Sequence, residues 1–257
     1  MKIENTIVIP HLHNPGVIRC LETLWKHTPP NFRVILVDQG DKDLTEDVAG
    51  LVHLYIRSYR QLGFAKACNI GWKLADTKYV TLCNDDVEFI NKRWWDGIVD
   101  SFNKNIVAVN PKTARDYDVG GDIRNKVEYK KDFTEADYDK MLELPYSNMQ
   151  CNAMFCTVIE QAKAKKIGYF DEFFFPGGGE DTDFIIRAKG LREPPNWVGY
   201  EVISTPLSYV WHWWRQSESD LTFLKAKVQL SEKWGWGWSM YDATTRSIIP
   251  KLTIKKL

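Results

Sequence analysis

Across the first ninety residues, short apolar runs alternate with amphipathic stretches, and each run ends in polar or turn-forming residues. Ile7–Val8–Ile9 predicts a buried strand stopped at Pro10, and His13–His27 a helix with Val17, Ile18, Leu21, Leu24 and Trp25 on one face. Phe32–Val37 predicts a second strand, ending in the turn cluster Asp38–Gln39–Gly40, and Leu51–Ile56 a third. Phe64–Ala75 reads as a helix of small residues, and Tyr79–Cys83 as a fourth strand running into Asn84–Asp85–Asp86. Strands alternating with helices imply βαβ units, hence an α/β fold with a mainly parallel central sheet. Ligands of such sheets sit beyond the carboxyl ends of the strands. Pro10–His11, Asp38–Gln39 and Asn84–Asp86 all fall at those ends, so polar residues from separate strands are expected along one edge.

The 257 residues suffice for a sizeable core without disulfides. Lys plus Arg and Asp plus Glu both number 34, a balance that argues against a nucleic-acid binder, which needs a cationic excess. The five cysteines form no CxxC pair and read as buried reduced thiols. No apolar leader opens the chain and no run approaches a membrane span, so the expected compartment is the cytoplasm. Val107–Asn110 and Asn152–Ile159 read as further strands, and the charge-dense Lys112–Leu144 as an exposed insertion. Residues 218–257, with Trp234–Gly–Trp–Gly–Trp238, read as an extension packed on one domain of residues 1–217. The terminal Lys251, Lys255 and Lys256, interleaved with Ile and Leu, read as a frayed end or a weak membrane-surface contact.

Several clusters have chemistry to offer. Adjacent carboxylates in Asn84–Asp85–Asp86 repel unless a cation lies beside them; a hard divalent ion fits, and so does a plain Asp/Asn turn. Glu180–Asp181–Thr182–Asp183 either complements a helix dipole or presents a general base. His212 lies in Val210–Trp211–His212–Trp213–Trp214, as a packed core histidine or an imidazole ligand. Lys66 and Arg60 are phosphate partners or solvated surface. The tail tryptophans stack on sugar or pack internally. GxGxxG after the first strand, GxxxxGK[ST] and GxSxG are all absent.

In combination these segments resemble the family 2 inverting glycosyltransferases of GT-A fold, especially the rhamnosyltransferase-like branch. Gln61–Leu62–Gly63–Phe64–Ala65–Lys66–Ala67–Cys68–Asn69–Ile70–Gly71 is similar to the family's N-x-GFA-x-A-x-N-x-G run. Leu82–Cys83–Asn84–Asp85–Asp86–Val87 takes the place of its DxD motif, with Asn84 at the first Asp. Gly168–Tyr169–Phe170–Asp171–Glu172–Phe173–Phe174 resembles G-x-FDE-x-F, and Glu180–Asp181–Thr182–Asp183 with Arg187 resembles ED-x-D with its Arg.

The resemblance implies a nucleoside-diphosphate sugar donor, a glycan or glycoconjugate acceptor, and Mn²⁺ or Mg²⁺ as cofactor. Asp38 would bind the nucleobase and Asn84 the ribose or diphosphate region, with Pro10, His11, Gln61, Gly63, Lys66 and Asp85 also on the donor. Asp86 and His212 would hold the metal. Asp181 would be the catalytic base with Glu180 beside it, and Asp183 and Trp211 would contact the acceptor. The competing expectation is a non-catalytic carbohydrate-binding protein on the same fold.

Overall fold

The computed structural model describes residues 2–113, 128–144, 153–190, 199–213 and 220–234. A seven-stranded sheet runs through them in the order β3-β2-β1-β4-β7-β6-β8. Its strands are β1 (Asn5–His11), β2 (Phe32–Asp38), β3 (Leu54–Arg57), β4 (Tyr79–Cys83), β6 (Ile106–Lys112), β7 (Cys156–Glu160) and β8 (Glu201–Tyr209). The pairings β1–β2, β1–β4, β2–β3 and β6–β8 are parallel, while β7 runs against both β4 and β6. A separate two-stranded ribbon joins β5 (Val87–Glu88) to β9 (Trp211–His212).

Alternation along the strands divides the core. Ile7 and Ile9 of β1, with Val34 and Leu36 of β2, point to one face. There they meet Leu21 and Leu24 of α1 (Val17–His27) and Trp94 and Ile98 of α3 (Trp94–Asp100). Val8, Ile35 and Val37 point to the other, against Ala65, Cys68 and Trp72 of α2 (Phe64–Leu74) and Phe184 of α6 (Glu180–Lys189). Trp72 is buried edge-on to Tyr169 and Phe170, with centroids 5.1 and 6.0 Å apart. Small residues on α2 let the helix lie close enough to β1 for this layer to close.

Several features differ from the sequence expectation; the third strand, for one, begins at Leu54 and not Leu51. β1 continues through Pro10: its ladder with β4 ends at Val8, and Pro10 faces that unpaired side, so the missing N–H costs no ladder bond. α1 begins at Val17 rather than His13, because Asn14 turns back to accept the Gly16 N–H at 2.8 Å. Trp25 is 39% exposed and stacks on His53 at the rim of the expected face.

The insertion is not simply exposed. In α4 (Glu135–Leu142), Tyr138 and Met141 are buried in a third cluster with Ile90, Tyr209 and Trp211, and Lys112, at the end of β6, is itself buried. Residues 114–127 of that segment, Cys151, Asn152, Ser217, the Gly235–Trp238 run and the lysine-rich terminus lie outside the described residues. Four cysteines, Cys20, Cys68, Cys83 and Cys156, are buried free thiols. Two further helices complete the described fold: α5 (Gln161–Ala164) and α7 (Asp220–Trp234).

Candidate active site

The carboxyl ends of β1 and β4 and the start of α6 border a cleft of about 250 Å³. Pro10, His11, Gln61, Gly63, Asn84, Asp85, Asp86, Glu180, Asp181 and His212 line it, together with Gln39, Phe64, Met154 and Phe155. Stretches of chain up to about 200 residues apart in sequence therefore share one cavity, as the parallel topology requires.

Asp86 and His212 are brought together by the β5–β9 ribbon, in which Val87 pairs with His212. His212 Nε2 lies 3.0 Å from Asp86 Oδ1 and 3.4 Å from Asn84 Nδ2. Phe155 stacks on the imidazole at 4.6 Å and 12° and fixes its plane. Asn84 Oδ1 is buried without a hydrogen-bond partner, an arrangement that costs free energy unless something fills the gap. A carboxylate, an imidazole and an orphaned amide oxygen suit a hard divalent ion that completes its shell with phosphate and water. Among the described residues no three His, Cys, Asp or Glu side chains gather as a complete ligand cluster, so such an ion would depend on donor oxygens.

Asp85 has a different place from its neighbour. His11 Nδ1 lies 2.8 Å from Asp85 Oδ2, and Asn14 Nδ2 donates to Asp85 Oδ1 at 3.0 Å. Both oxygens are thus engaged on the side of α1, and Asp85 does not stand in for the carboxylate missing at Asn84. Burial pushes its carboxyl above the ordinary aspartate value, against the pull of His11 and Asn14.

Asp181 lies in the first turn of α6, after Glu180. Thr182 N–H donates to Asp181 Oδ1 at 2.7 Å. Desolvation raises the carboxyl above the usual range, partly offset by the Thr182 and Met154 backbone N–H groups. A carboxyl held this way at the cleft is suited to accept a proton.

The cleft wall beside the Phe175–Pro176 loop depends on Gly63. Its φ of 81° is unfavourable for other residues, and a Cβ there would come within 2.8 Å of the Phe175 ring and 2.9 Å of the Pro176 carbonyl. Phe64 N–H donates to that carbonyl at 2.7 Å, and Gln39 Oε1 accepts from Leu62 and Gly63 N–H at 2.6 and 3.0 Å. Gln39 thus sets the wall, and its neighbourhood to Asp38 was the only signal for it in the sequence.

Four expected site residues lie elsewhere. Asp38 is fully buried, its carboxylate accepting from Gly40 N–H at 2.8 Å and from Tyr55 Oη, so both oxygens are engaged away from the cleft. Lys66 is exposed on the outer side of α2, away from the cleft lining. Trp211 is core, packed with Tyr138 and Tyr129. Asp183 is fully buried: Arg187 Nε donates to Oδ2 at 2.8 Å, and Trp234 Nε1 to Oδ1 at 3.1 Å. None of the four lines the cleft; Asp38, Trp211 and Asp183 brace the fold around it from buried positions. Asn69 does likewise, exchanging both amide bonds with the Phe170 backbone at 2.8 and 3.1 Å and so tying two sequence motifs together.

Known proteins share this architecture. A mannosyltransferase from Pyrobaculum calidifontis, solved with GDP-Man and Mn²⁺, superposes with a TM-score of 0.59 at 13% identity, over 90% of this chain and 62% of that one. GalNAc-T7, solved with UDP, GalNAc and Mn²⁺, gives 0.65 at 18% identity, over 93% of this chain and 49% of that one. S. aureus TarS 1-349 with UDP-GlcNAc gives 0.56 at 17% identity, over 84% and 60%. The curated glycosyltransferase GlyG of Streptococcus pneumoniae serotype 4 (strain ATCC BAA-334 / TIGR4) is 29% identical over 89 residues, 32% of this chain and 29% of its own length. The chain thus spans less than two thirds of each of these relatives. Its mostly parallel α/β architecture is the GT-A fold. With the profile of Glycosyl transferase family 2 matching residues 6–167, more than half of the sequence, the chain belongs to that family.

Proposed function

We propose that the protein transfers a sugar from a nucleoside-diphosphate donor to an acceptor hydroxyl, with inversion at the anomeric carbon. The observation that carries this reading is that Asp86, paired with His212, and Asp181 line the same cleft. Pro10, His11, Gln61 and Gly63 form the donor wall, and Asp86, His212 and Asn84 Oδ1 would hold Mn²⁺ or Mg²⁺ against the diphosphate. A bound ion would offset charge growing on the leaving nucleoside diphosphate. Asp181 takes the proton from the acceptor hydroxyl, and the acceptor oxygen forms its bond to the anomeric carbon as the bond to the diphosphate oxygen breaks. Attack from the face opposite the leaving group inverts the centre. Glu180, buried beside Asp181, keeps the negative field on the acceptor side.

We read residues 1–217 as the transferase domain and 218–257 as an extension on it. No helix among the described residues is long and apolar enough to cross a membrane. A cytoplasmic enzyme acting on a glycan or glycoconjugate is the setting we favour, with the basic terminus as a peripheral membrane contact. The test is nucleoside diphosphate release from UDP-, GDP- and dTDP-sugars with and without Mn²⁺. Turnover abolished by Asp181→Asn is expected. Affinity for glycans with no turnover of any donor overturns the reading in favour of a carbohydrate-binding protein.

A further inference from the structure

The helix α7 comes from the C-terminal segment, yet it lies directly on the loop that presents the acidic turn. A Cβ on Gly178 would meet Ala226 Cβ at 3.1 Å, and one on Gly179 would meet Leu230 Cγ at 3.3 Å. Gln229 Nε2 donates to the Phe173 carbonyl at 2.6 Å, holding the other end of the same loop. Lys233 Nζ then lies 2.5 Å from Asp183 Oδ1 and 2.6 Å from Asp171 Oδ2. One ammonium group thereby joins the FDE segment to the first turn of α6.

Each partner of this bridge is held in turn. Asp183 is flanked by two cations, Arg187 from its own helix and Lys233 from α7. Arg187 also donates to the Ile167 and Tyr169 carbonyls at 2.9 and 2.8 Å. A fully buried carboxylate is tolerated only when paired in this way. On an α-helix two residues span about 200°, so Asp183 facing inward sends Asp181 outward to the cleft. Rotation or sliding of α6 at Asp183 therefore displaces Asp181 by a comparable amount.

We propose that Lys233 is a positioning residue for Asp181, acting through Asp183 to fix where the first turn of α6 stands against the cleft. The proposal rests on Asp181 being the base of the reaction, and it gives the C-terminal helix a part in catalysis without any contact to substrate. Displacements of about 1 Å at a reacting group can cost on the order of a hundredfold in rate. Loss of Lys233 is accordingly expected to act on turnover more than on donor affinity.

The experiment compares the full chain with Lys233→Met, which keeps the aliphatic stem, and with Lys233→Arg. Lys233→Met combined with Asp171→Asn serves should the single change prevent folding, because it removes one of the freed carboxylates. The first readout is the ¹³C-carboxyl titration of Asp181, which needs no donor. Its midpoint is expected to move in the Met variant and to return with Arg. The second is kcat for release of nucleoside diphosphate against the affinity for UDP and GDP with Mn²⁺. An at least tenfold loss in kcat, with affinity changed less than about twofold and kcat recovered by Arg, is the expected split. An unmoved Asp181 midpoint overturns the proposal, as does a loss of nucleotide affinity in step with kcat. Absence of turnover in the wild type overturns the transferase reading instead, and the titration still decides whether Lys233 fixes Asp181.

Discussion

His11 Nδ1 lies 2.8 Å from Asp85 Oδ2, and this contact separates the roles of two adjacent aspartates. An ionised Asp85 only accepts, so Nδ1 carries the proton and Nε2 is left for the cleft. Asp86, one residue on, faces His212 instead. Asp85→Asn is expected to weaken donor binding about ten- to a hundredfold, the loss of a charge-assisted bond to a buried partner, without changing the Mn²⁺ concentration needed for half-maximal rate. Asp86→Asn is expected to raise that concentration at least about tenfold. Metal titrations of both variants at saturating donor check the contrast; equal shifts would refute the division.

The raised carboxyl of Asp181 links activity to stability. Only the ionised form can take the acceptor proton, so the rate should fall as pH drops through a value above the ordinary aspartate range. Between the unfolded and folded values the native state keeps a proton that the unfolded chain has released. Stability therefore declines as pH rises through that window and stays lower above it. Asp181→Asn removes this penalty while removing the base. It is expected to melt above the wild type at pH 7, with the difference closing toward about pH 4, and to show no turnover. A lower melting temperature at pH 7 would contradict the desolvated environment.

Much of the fold was written in local pattern, and part of the site was not. β4 follows the run Tyr79–Cys83 residue for residue, and α2 ends one residue short of its expected limit, because buried parallel strands and amphipathic helices leave strong periodic signals. β8 was missed: Val202 and Ile203 make a short apolar run and Pro206 interrupts it. The β5–β9 ribbon, two residues on each side, is below the length at which alternation can be read, although it brings Asp86 to His212. Asp38 and Asp183 look like site residues because carboxylates at strand and helix ends usually face ligand. Only tertiary partners, Tyr55 for one and Arg187, Lys233 and Trp234 for the other, turn them into buried supports. Trp211 belongs to the core for the same reason, since Tyr129 and Tyr138 come from a segment with no apolar run.

Gly63 tests the cleft wall that packs on the Phe175–Pro176 loop. Gly63→Ala places a Cβ at positive φ and within 2.9 Å of a backbone carbonyl, so either α2 or the Phe175–Pro176 loop must shift. A cost of about 1–3 kcal/mol is expected, seen as a lower urea midpoint with unchanged slope. Because Phe64 N–H and the Pro176 carbonyl border the cleft, KM for the donor should rise as well. Chemical denaturation and donor kinetics on the same preparation separate the two effects. Wild-type values in both would show that the loop yields freely.

The metal requirement should belong to the reaction and not to folding. Asp86, His212 and Asn84 are each held by protein neighbours: the ribbon positions His212, Phe155 stacks on it, the Trp213 N–H donates to the Asp86 carbonyl at 3.1 Å, and the Asn84 N–H donates to the Phe155 carbonyl at 2.7 Å. A structural metal site would draw on three or four protein ligands, and the chain would unfold without it. Among the described residues no such set gathers, so EDTA is expected to abolish donor turnover and leave the urea midpoint where it was. Added Mn²⁺ should restore the rate, and His212→Ala should raise the Mn²⁺ needed at least about tenfold, in line with the loss of one of few ligands. A fall in the urea midpoint on chelation would show that the ion supports the fold, and would remove the basis for assigning it to the donor diphosphate.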